Sequence, residues 1–379
     1  MKRKLVMLLV AAVVIVSWVA VGCAPEVVPP AEEKPAPPAE EKPAPPAPPA
    51  EEVITWKFQD SYDAANPAHV AAANLADAVT KASGGRFVIK SFTGGEIVPA
   101  TKEAVQGVDP GVIEMTYTCP MYSLDTWPSA GLFSARPGQL PSKSFTIWYN
   151  EYNGGEGWKL INKMVEGYNL YALKGTAPRP AEIWAHSTVP IKSVKDIKGL
   201  RMRTAGDGGE VLTRMGASVV FLAGGELYEA MQRGVIDAFE YSTPSVDWDM
   251  GFQEIAKYLI FSETRAPSDP LMFFVNKDAW EKLPDDLQQL LQDEALRWTY
   301  EHDESEFAKS IVGVQNFRDF GCDLSHLPAD VERAFLAEAA KFYAEKAAKE
   351  EPIYSEILNS MNAFREAFAT YTALSTPLV

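Results

Sequence analysis

The amino-acid sequence predicts a mixed α/β protein of two lobes with a cleft between them and long C-terminal helices. Three observations lead there: strand and helix patterns alternate between residues 54 and 222, residues 229–237 echo residues 103–114, and the pattern is almost wholly helical from Pro284 onward. Alternating strands and helices favour parallel, helix-covered sheets. Residues 53–379 also exceed the usual span of one hydrophobic core, which suggests two lobes.

The N-terminal elements concern location. Lys2, Arg3 and Lys4 precede an uncharged run, residues 5–21. A short basic region before an apolar stretch describes an export signal, and the run also reaches the lower length limit of a membrane span. Ala20-Val21-Gly22-Cys23 resembles a bacterial lipobox, which makes residues 1–23 a lipoprotein signal and Cys23 the lipidated residue. On either reading the rest of the chain works outside the cell, tied to a membrane. Residues 24–52 hold eleven of the 28 prolines and repeat PAEEKPAP at 30–37 and 38–45. Proline lacks an amide donor and fixes φ, so this linker is expected to be extended polyproline II. It would reach on the order of 90 Å, enough to let a folded head sweep the space near its anchor.

Within the head, 54–59 and 86–92 read as strands, and Val70, Leu75 and Val79 mark an amphipathic helix between them. Residues 199–203 and 219–222 are short strands around a helix at 209–215. After Pro284, Leu287, Leu290, Leu291 and Leu296 recur on one helical face. The echo joins Glu103-Ala104-Val105-Gln106 and Gly111-Val112-Ile113-Glu114 to Glu229-Ala230-Met231-Gln232 and Gly234-Val235-Ile236-Asp237. Each half reads as a short helix that ends at glycine and turns into an apolar strand closing on an acid. The echo suggests two lobes of related construction, with chance similarity of Ala-rich helices as the alternative.

Composition excludes several functions. The net charge is −16, nearly all of it in residues 53–379. Such a surface argues against nucleic acid and against an anionic membrane face as partners, but not against a small anion held by an arginine in a cleft. Cys119 and Cys322 read as buried free thiols. His69, His186, His302 and His326 show no metal-ligand spacing, and there is no CxxC pair, no G-x-S-x-G elbow and no P-loop. Gly206-Asp207-Gly208-Gly209 reads equally as an anion cradle and as a strand-to-helix turn.

The echo also places a site. In open α/β sheets ligands bind beyond the carboxyl ends of strands. The first echoed strand would deliver residues 115–120, with Tyr117 and Tyr122 nearby, and the second Phe239, Glu240, Tyr241 and Ser242. Strand ends facing each other across a cleft are the geometry of a protein that closes around its ligand by hinge motion.

Phe92-Thr93-Gly94-Gly95-Glu96-Ile97-Val98-Pro99 resembles the strand-and-loop signature of the solute receptors of tripartite ATP-independent periplasmic (TRAP) transporters. Lys198-Gly199-Leu200-Arg201-Met202-Arg203 resembles the strand that carries that family's ligand-binding arginine. Leu222-Ala223-Gly224-Gly225-Glu226-Leu227-Tyr228 and Asn276-Lys277-Asp278-Ala279-Trp280 continue a likeness that spans nearly all of residues 53–365. Ala223–Tyr228 and the acid-aromatic pair Glu240-Tyr241 resemble the 2-oxo-acid and lactate branch. The resemblance implies an α/β, two-lobed periplasmic-binding-protein-like fold with an interlobe cleft and long C-terminal helices. Lobe I would comprise 53–180 and about 267–310, and lobe II plus the C-terminal helices 181–266 and about 311–379. A small organic acid is the implied ligand and a TRAP membrane permease the implied partner. The helical tail at 330–372 would allow a homodimer.

Site residues follow from the same likeness. Arg203 stands where the family grips the ligand carboxylate, and a planar guanidinium makes two parallel hydrogen bonds to that group. Strand register alone leaves Arg201 as an alternative, since residues i and i+2 share a face. Glu240 and Tyr241 stand where the branch has an acid-tryptophan pair that helps hold Na⁺ or Ca²⁺ through hard oxygen donors. The chain departs from that pattern twice. Arg179-Pro180-Ala181-Glu182 precedes Trp184 where the branch usually has a glutamine, and Thr264-Arg265-Ala266 replaces an acid-bearing loop. Arg179 or Arg265 would then supply the positive charge of the ion, unless both point to solvent. Trp184, Tyr122 and Phe92 are candidates to close over the ligand's carbon skeleton, with a core position the alternative for each. A tethered enzyme and a ligand sensor remain alternative functions for this scaffold; no nucleophile-base or metal constellation supports the enzyme.

Overall fold

In the computed structural model, residues 52–375 are described; the signal 1–23 with Cys23, the linker up to residue 51, and residues 376–379 lie outside the described residues. The described residues belong to one compact unit, Glu51–Val379, which contains two sheets. The first is built from β1 (Ile54–Asp60), β2 (Phe87–Phe92), β3 (Met115–Thr118), β4 (Leu170–Ala172), β5 (Ala177–Arg179) and, returning much later, β11 (Asp269–Asn276), in the order β2-β1-β3-β11-β4 with β5 paired to β11. The second holds β6 (Ala185–Ser187), β7 (Arg201–Arg203), β8 (Ser218–Val220), β9 (Ala238–Phe239), β10 (Tyr258–Phe261) and β12 (Asp323–His326), in the order β12-β10-β6-β9-β7-β8.

The expected parallel arrangement covers part of each sheet. β1 pairs in parallel with β2 and β3, and β7 with β8 and β9. β11 is antiparallel to β3, β4 and β5, and β6 is antiparallel to β9 and β10. The sheets are therefore mixed, because the chain leaves the first sheet after β5 and re-enters it along β11 in the opposite direction.

The helix after β1 runs Pro67–Ala82, opened by Asn66, whose side chain accepts the amide of Ala68. Its buried face is Ala68, Ala72, Leu75, Ala76 and Val79. Val70 is exposed, contrary to expectation, because it lies roughly 200° round the helix from Ala72. The echo is present in modified form. The strands begin after the acids: β3 follows Glu114 and β9 follows Asp237. Both acids do the same work. Glu114 accepts the amide of Lys57 at 2.6 Å and Asp237 that of Arg201 at 3.2 Å, each on the neighbouring parallel strand. Residues 111–114 and 234–237 are thus turns that tie a strand's entrance to its neighbour.

The C-terminal part differs from a purely helical pattern. Helix Asp285–Phe320 buries Leu287 and Leu291 and stops at Gly321, whose φ of 101° favours glycine. β12 then pairs with β10 before helices Ala329–Lys349 and Pro352–Ser375. The long helix serves both lobes. Trp298 Nε1 donates to Ala71 O at 2.9 Å near the first sheet, and Gly313 lies so close to helix Pro244–Asp249 that a Cβ would sit 2.6 Å from Pro244 O. The last helix packs towards the first part of the chain. It buries Tyr354, Ile357, Met361 and Phe364, and it reaches helix Ser142–Asn150 through Trp148 Nε1, 3.0 Å from Ser360 Oγ. Cys119 is buried as expected, while Cys322 is only half-buried; both are free.

Candidate functional site

The two segments that cross between the sheets run side by side. β5 faces β11 in the register Arg179↔Asp269, and further along Glu182 N donates to Ala266 O at 3.2 Å. An ion pair accompanies each of these backbone contacts: Arg179 Nη2 with Asp269 Oδ2, and Arg265 Nη2 with Glu182 Oε2. All four residues are at most 5 % exposed. The crossing strands thus bring two buried arginines, with their acids, to the place where the lobes meet.

The second sheet adds a third arginine. At the carboxyl end of β7, Arg203 donates from Nε to Leu222 O at 2.9 Å and from Nη1 to Glu240 O at 2.6 Å. Its guanidinium lies between the rings of Phe221 and Tyr241, 5.3 and 5.9 Å from their centroids. Arg201, two residues earlier, is occupied at the surface by Asp237. Position along β7 therefore separates the two arginines, and Arg203 is the one at the cleft.

Glu240 is the centre of the charged array. Its Oε2 lies 3.3 Å from Arg203 Nη1 and 3.4 Å from Arg265 Nη1, and its Oε1 accepts the amide of Ala205 at 2.5 Å. Burial alone would push this carboxyl up; Arg265 and Arg203 outweigh burial and hold it below its ordinary range. Glu182 behaves differently. Burial pushes it up to about 8 against the pull of Arg265. Burial also disfavours the charge of Arg265, but Glu240 and Glu182 keep it firmly protonated.

A cavity of about 50 Å³ lies among these groups. The first lobe contributes Tyr62, Cys119, Met121 and Tyr122, and the second Arg203, Ala205, Glu240, Tyr241 and Ser242. Burial raises the phenols of Tyr62, Tyr122 and Tyr241, so all three present neutral O–H groups. Two glycines make this packing possible. Gly94 N donates to Tyr62 O at 2.7 Å, and a Cβ at 94 would lie 2.7 Å from Ser61 C. A Cβ at Gly224 would meet the Tyr241 ring at 2.5 Å.

Six of the expected residues are brought together here: Arg203, Glu240, Tyr241, Arg179, Arg265 and Tyr122. Trp184 is not. It is fully buried in the core, edge-on to Phe335 with centroids 6.1 Å apart, the core position that the sequence reading holds as its alternative. Phe92 does not line the cavity either. Sequence reasoning missed Tyr62, Asp269 and the pairing of Glu182. The strand-end rule applied to β1 points to Tyr62, and Asp269 opens the apolar run 270–275, where an acid needs a partner.

Glu240 and Tyr241, expected as ion ligands, are poorly placed for that role. Among the described residues no three His, Cys, Asp or Glu side chains cluster to hold a metal. Both oxygens of Glu240 are engaged, and those of Glu182 and Asp269 facing the arginines are ion-paired. A cation placed against Glu240 would meet two guanidinium charges, each costing about 4 kcal/mol at ~4 Å and an effective dielectric of ~20. The donor set does not fit a metal ion.

Two sheets joined by paired crossing strands, with inward-facing arginines over a small cavity, define a two-lobed binding protein. The chain belongs to the family described as bacterial extracellular solute-binding proteins, family 7 (DctP), which it matches over residues 58–350; these are the extracytoplasmic receptors of TRAP transporters. A monocarboxylate 2-oxoacid-binding periplasmic protein of Nostoc sp. is 30% identical over 239 residues, 63% of this chain. The match spans 64% of that relative, just under two thirds of its length. Two solved TRAP periplasmic solute-binding proteins share the fold. One, from Colwellia psychrerythraea with bound calcium and pyruvate, has a TM-score of 0.78 at 27% identity, covering 86% of this chain and 98% of its own. The other, from Pseudoalteromonas atlantica with bound sodium and pyruvate, has 0.77 at 25%, covering 86% and 97%.

Proposed function

We propose that this protein is the extracytoplasmic receptor of a TRAP-type transporter, capturing a small organic acid in the interlobe cleft and delivering it to a membrane permease. A 2-oxo acid, lactate or a related short carboxylate is the ligand class. One observation carries the reading: Arg203 is fixed by two backbone carbonyls through Nε and Nη1, which leaves Nη2 for a carboxylate. The names of the Nostoc relative and of the two pyruvate-bound structures support the same class.

In this mechanism the open lobes admit the acid, Arg203 takes its carboxylate, and the phenols of Tyr62, Tyr122 and Tyr241 donate to its remaining oxygens. Closure about the paired crossing strands excludes water, which strengthens each of these contacts. No reaction follows. Among the described residues no histidine lines the cavity, and burial raises the Cys119 thiol so that it stays protonated and unreactive. The protein would therefore carry its ligand unchanged. Lipidation of Cys23 would hold it at the membrane and the proline-rich linker would let the head reach the permease. Exposed Tyr371 and Leu374 near the end of the last helix leave room for a homodimer contact at the tail.

Calorimetric titration of the whole protein with pyruvate, lactate and 2-oxobutyrate, followed by recovery of the ligand, tests the proposal. One equivalent of reversibly bound, chemically unchanged acid is expected. Turnover of the acid, or no binding of any of the three, would remove the proposed ligand class.

A further inference from the structure

We infer that this receptor holds its acid without a metal ion, because the guanidinium of Arg265 stands where a cation would otherwise face Glu240. The inference rests on the organic-acid reading of the cleft and adds how the charge of that cleft is supplied.

Arg265 is built into the scaffold as a resident ion would be. Its Nη1 lies 3.4 Å from Glu240 Oε2 and its Nη2 is paired to Glu182, so it bridges an acid of the outgoing crossing segment and an acid just beyond β9. It sits on the returning crossing segment, where Glu182 N donates to the carbonyl of its neighbour, Ala266. Its stem lies against Gly208, where a Cβ would come within 3.3 Å of Arg265 Cγ. It is 2 % exposed. A charge so enclosed and so paired does not leave to make room for another.

Arg179 cannot take this part. Its ion partner is Asp269, and the arginines within 4 Å of Glu240 Oε2 among the described residues are Arg203 and Arg265. The two solved relatives have calcium or sodium bound as well as pyruvate. Here a covalently attached cation replaces a dissociable one. A planar guanidinium spreads its charge over directional donors rather than gathering six to eight oxygens around a point, so the surrounding carboxylates pair with it singly. The buried Nε–H of Arg265 has no hydrogen-bond partner among the described residues, which leaves one donor available to the acid.

The test uses the full chain, stripped with chelator and dialysed. In one arm calcium chloride alone is titrated calorimetrically; in the other, pyruvate is titrated in potassium buffer with chelator and in sodium buffer with calcium. Expected are no stoichiometric calcium binding and a pyruvate affinity equal in the two buffers within about twofold. One equivalent of bound calcium that Glu240→Gln abolishes, or a pyruvate affinity more than about tenfold weaker in chelator, would overturn the inference. If pyruvate binds in neither buffer, the organic-acid reading fails and the calcium arm still decides this inference. Arg265→Gln should weaken pyruvate about tenfold or more in chelator and make binding respond to added calcium; unchanged affinity in that variant would also overturn it. Should Arg265→Gln not fold, the two arms on the native chain suffice.

Discussion

Arg265 and Glu240 approach to 3.4 Å between Nη1 and Oε2, although one lies on the strand path back to the first sheet and the other just beyond β9 of the second. Their contact ties the returning crossing segment to the second sheet at the cavity, and Arg203 approaches the same carboxylate oxygen at 3.3 Å. The stability of the head and the charge of its ligand site are therefore set by the same side chains.

Glu240→Gln should destabilise the protein. It leaves two buried guanidinium groups facing a neutral amide, and breaking a buried ion pair by removing one partner costs about 3–5 kcal/mol. Denaturant unfolding of the head checks this. A loss below about 1 kcal/mol would mean that the arginines find other partners or water.

Ligand binding should weaken at high pH. Burial pulls Glu182 towards its neutral form, in which its Oε2 still accepts the hydrogen bond of Arg265 without carrying charge. The three arginines of the cavity then outnumber Glu240 and Asp269 by one charge, which suits a monocarboxylate. Burial holds Glu182 up to about 8, so pyruvate affinity should be flat below that value and fall about tenfold per pH unit above it. Stability follows the same sign. A carboxyl whose folded pKa exceeds its unfolded value of about 4.3 contributes fully below the latter, and the contribution is lost as pH rises through the former. Calorimetry across this range checks both, and Glu182→Gln should remove the fall. An affinity that rises above pH ~8 would contradict the assignment.

Gly224→Ala should injure binding more than folding. The added Cβ would meet the Tyr241 ring at 2.5 Å, so the ring must move away from Arg203. Pyruvate affinity is expected to drop about tenfold with a stability change of ~1 kcal/mol, the difference being read from titration and melting of one preparation.

Trp184→Ala should do the opposite. Removing a fully buried indole costs about 3–5 kcal/mol through the cavity left behind, yet the folded fraction should bind pyruvate as the native protein does. Selective loss of affinity would restore Trp184 to the site.

The legible parts of this protein are those where a local rule fixes a residue's surroundings. The carboxyl ends of β3 and β9 announced Tyr122, Glu240 and Tyr241, and the family likeness separated Arg203 from Arg201 where strand register could not. Trp184 stays open between core and cleft in the sequence, because a tryptophan two residues beyond an acid reads alike in both; its packing partner Phe335 lies 151 residues later. The antiparallel entry of β11 was hidden because hydropathy carries no strand direction. The packing of the last helix was not legible, because its stripe of Tyr354, Ile357, Met361 and Phe364 names a buried face but not its partner. Asp269 lay in plain view as an acid heading a buried strand, and its partner Arg179 emerged only from their cross-strand register.

The most direct measurement of the central claim is the pyruvate titration of Arg203→Lys beside the native protein. Lysine keeps the charge but loses the planar fork and the two carbonyl bonds that aim it. The account predicts that affinity falls at least about a hundredfold, on the order of 3 kcal/mol, for protein shown by its melting curve to be folded at the titration temperature. Equal affinity in the two proteins would contradict it and move the carboxylate to Arg179 or Arg265.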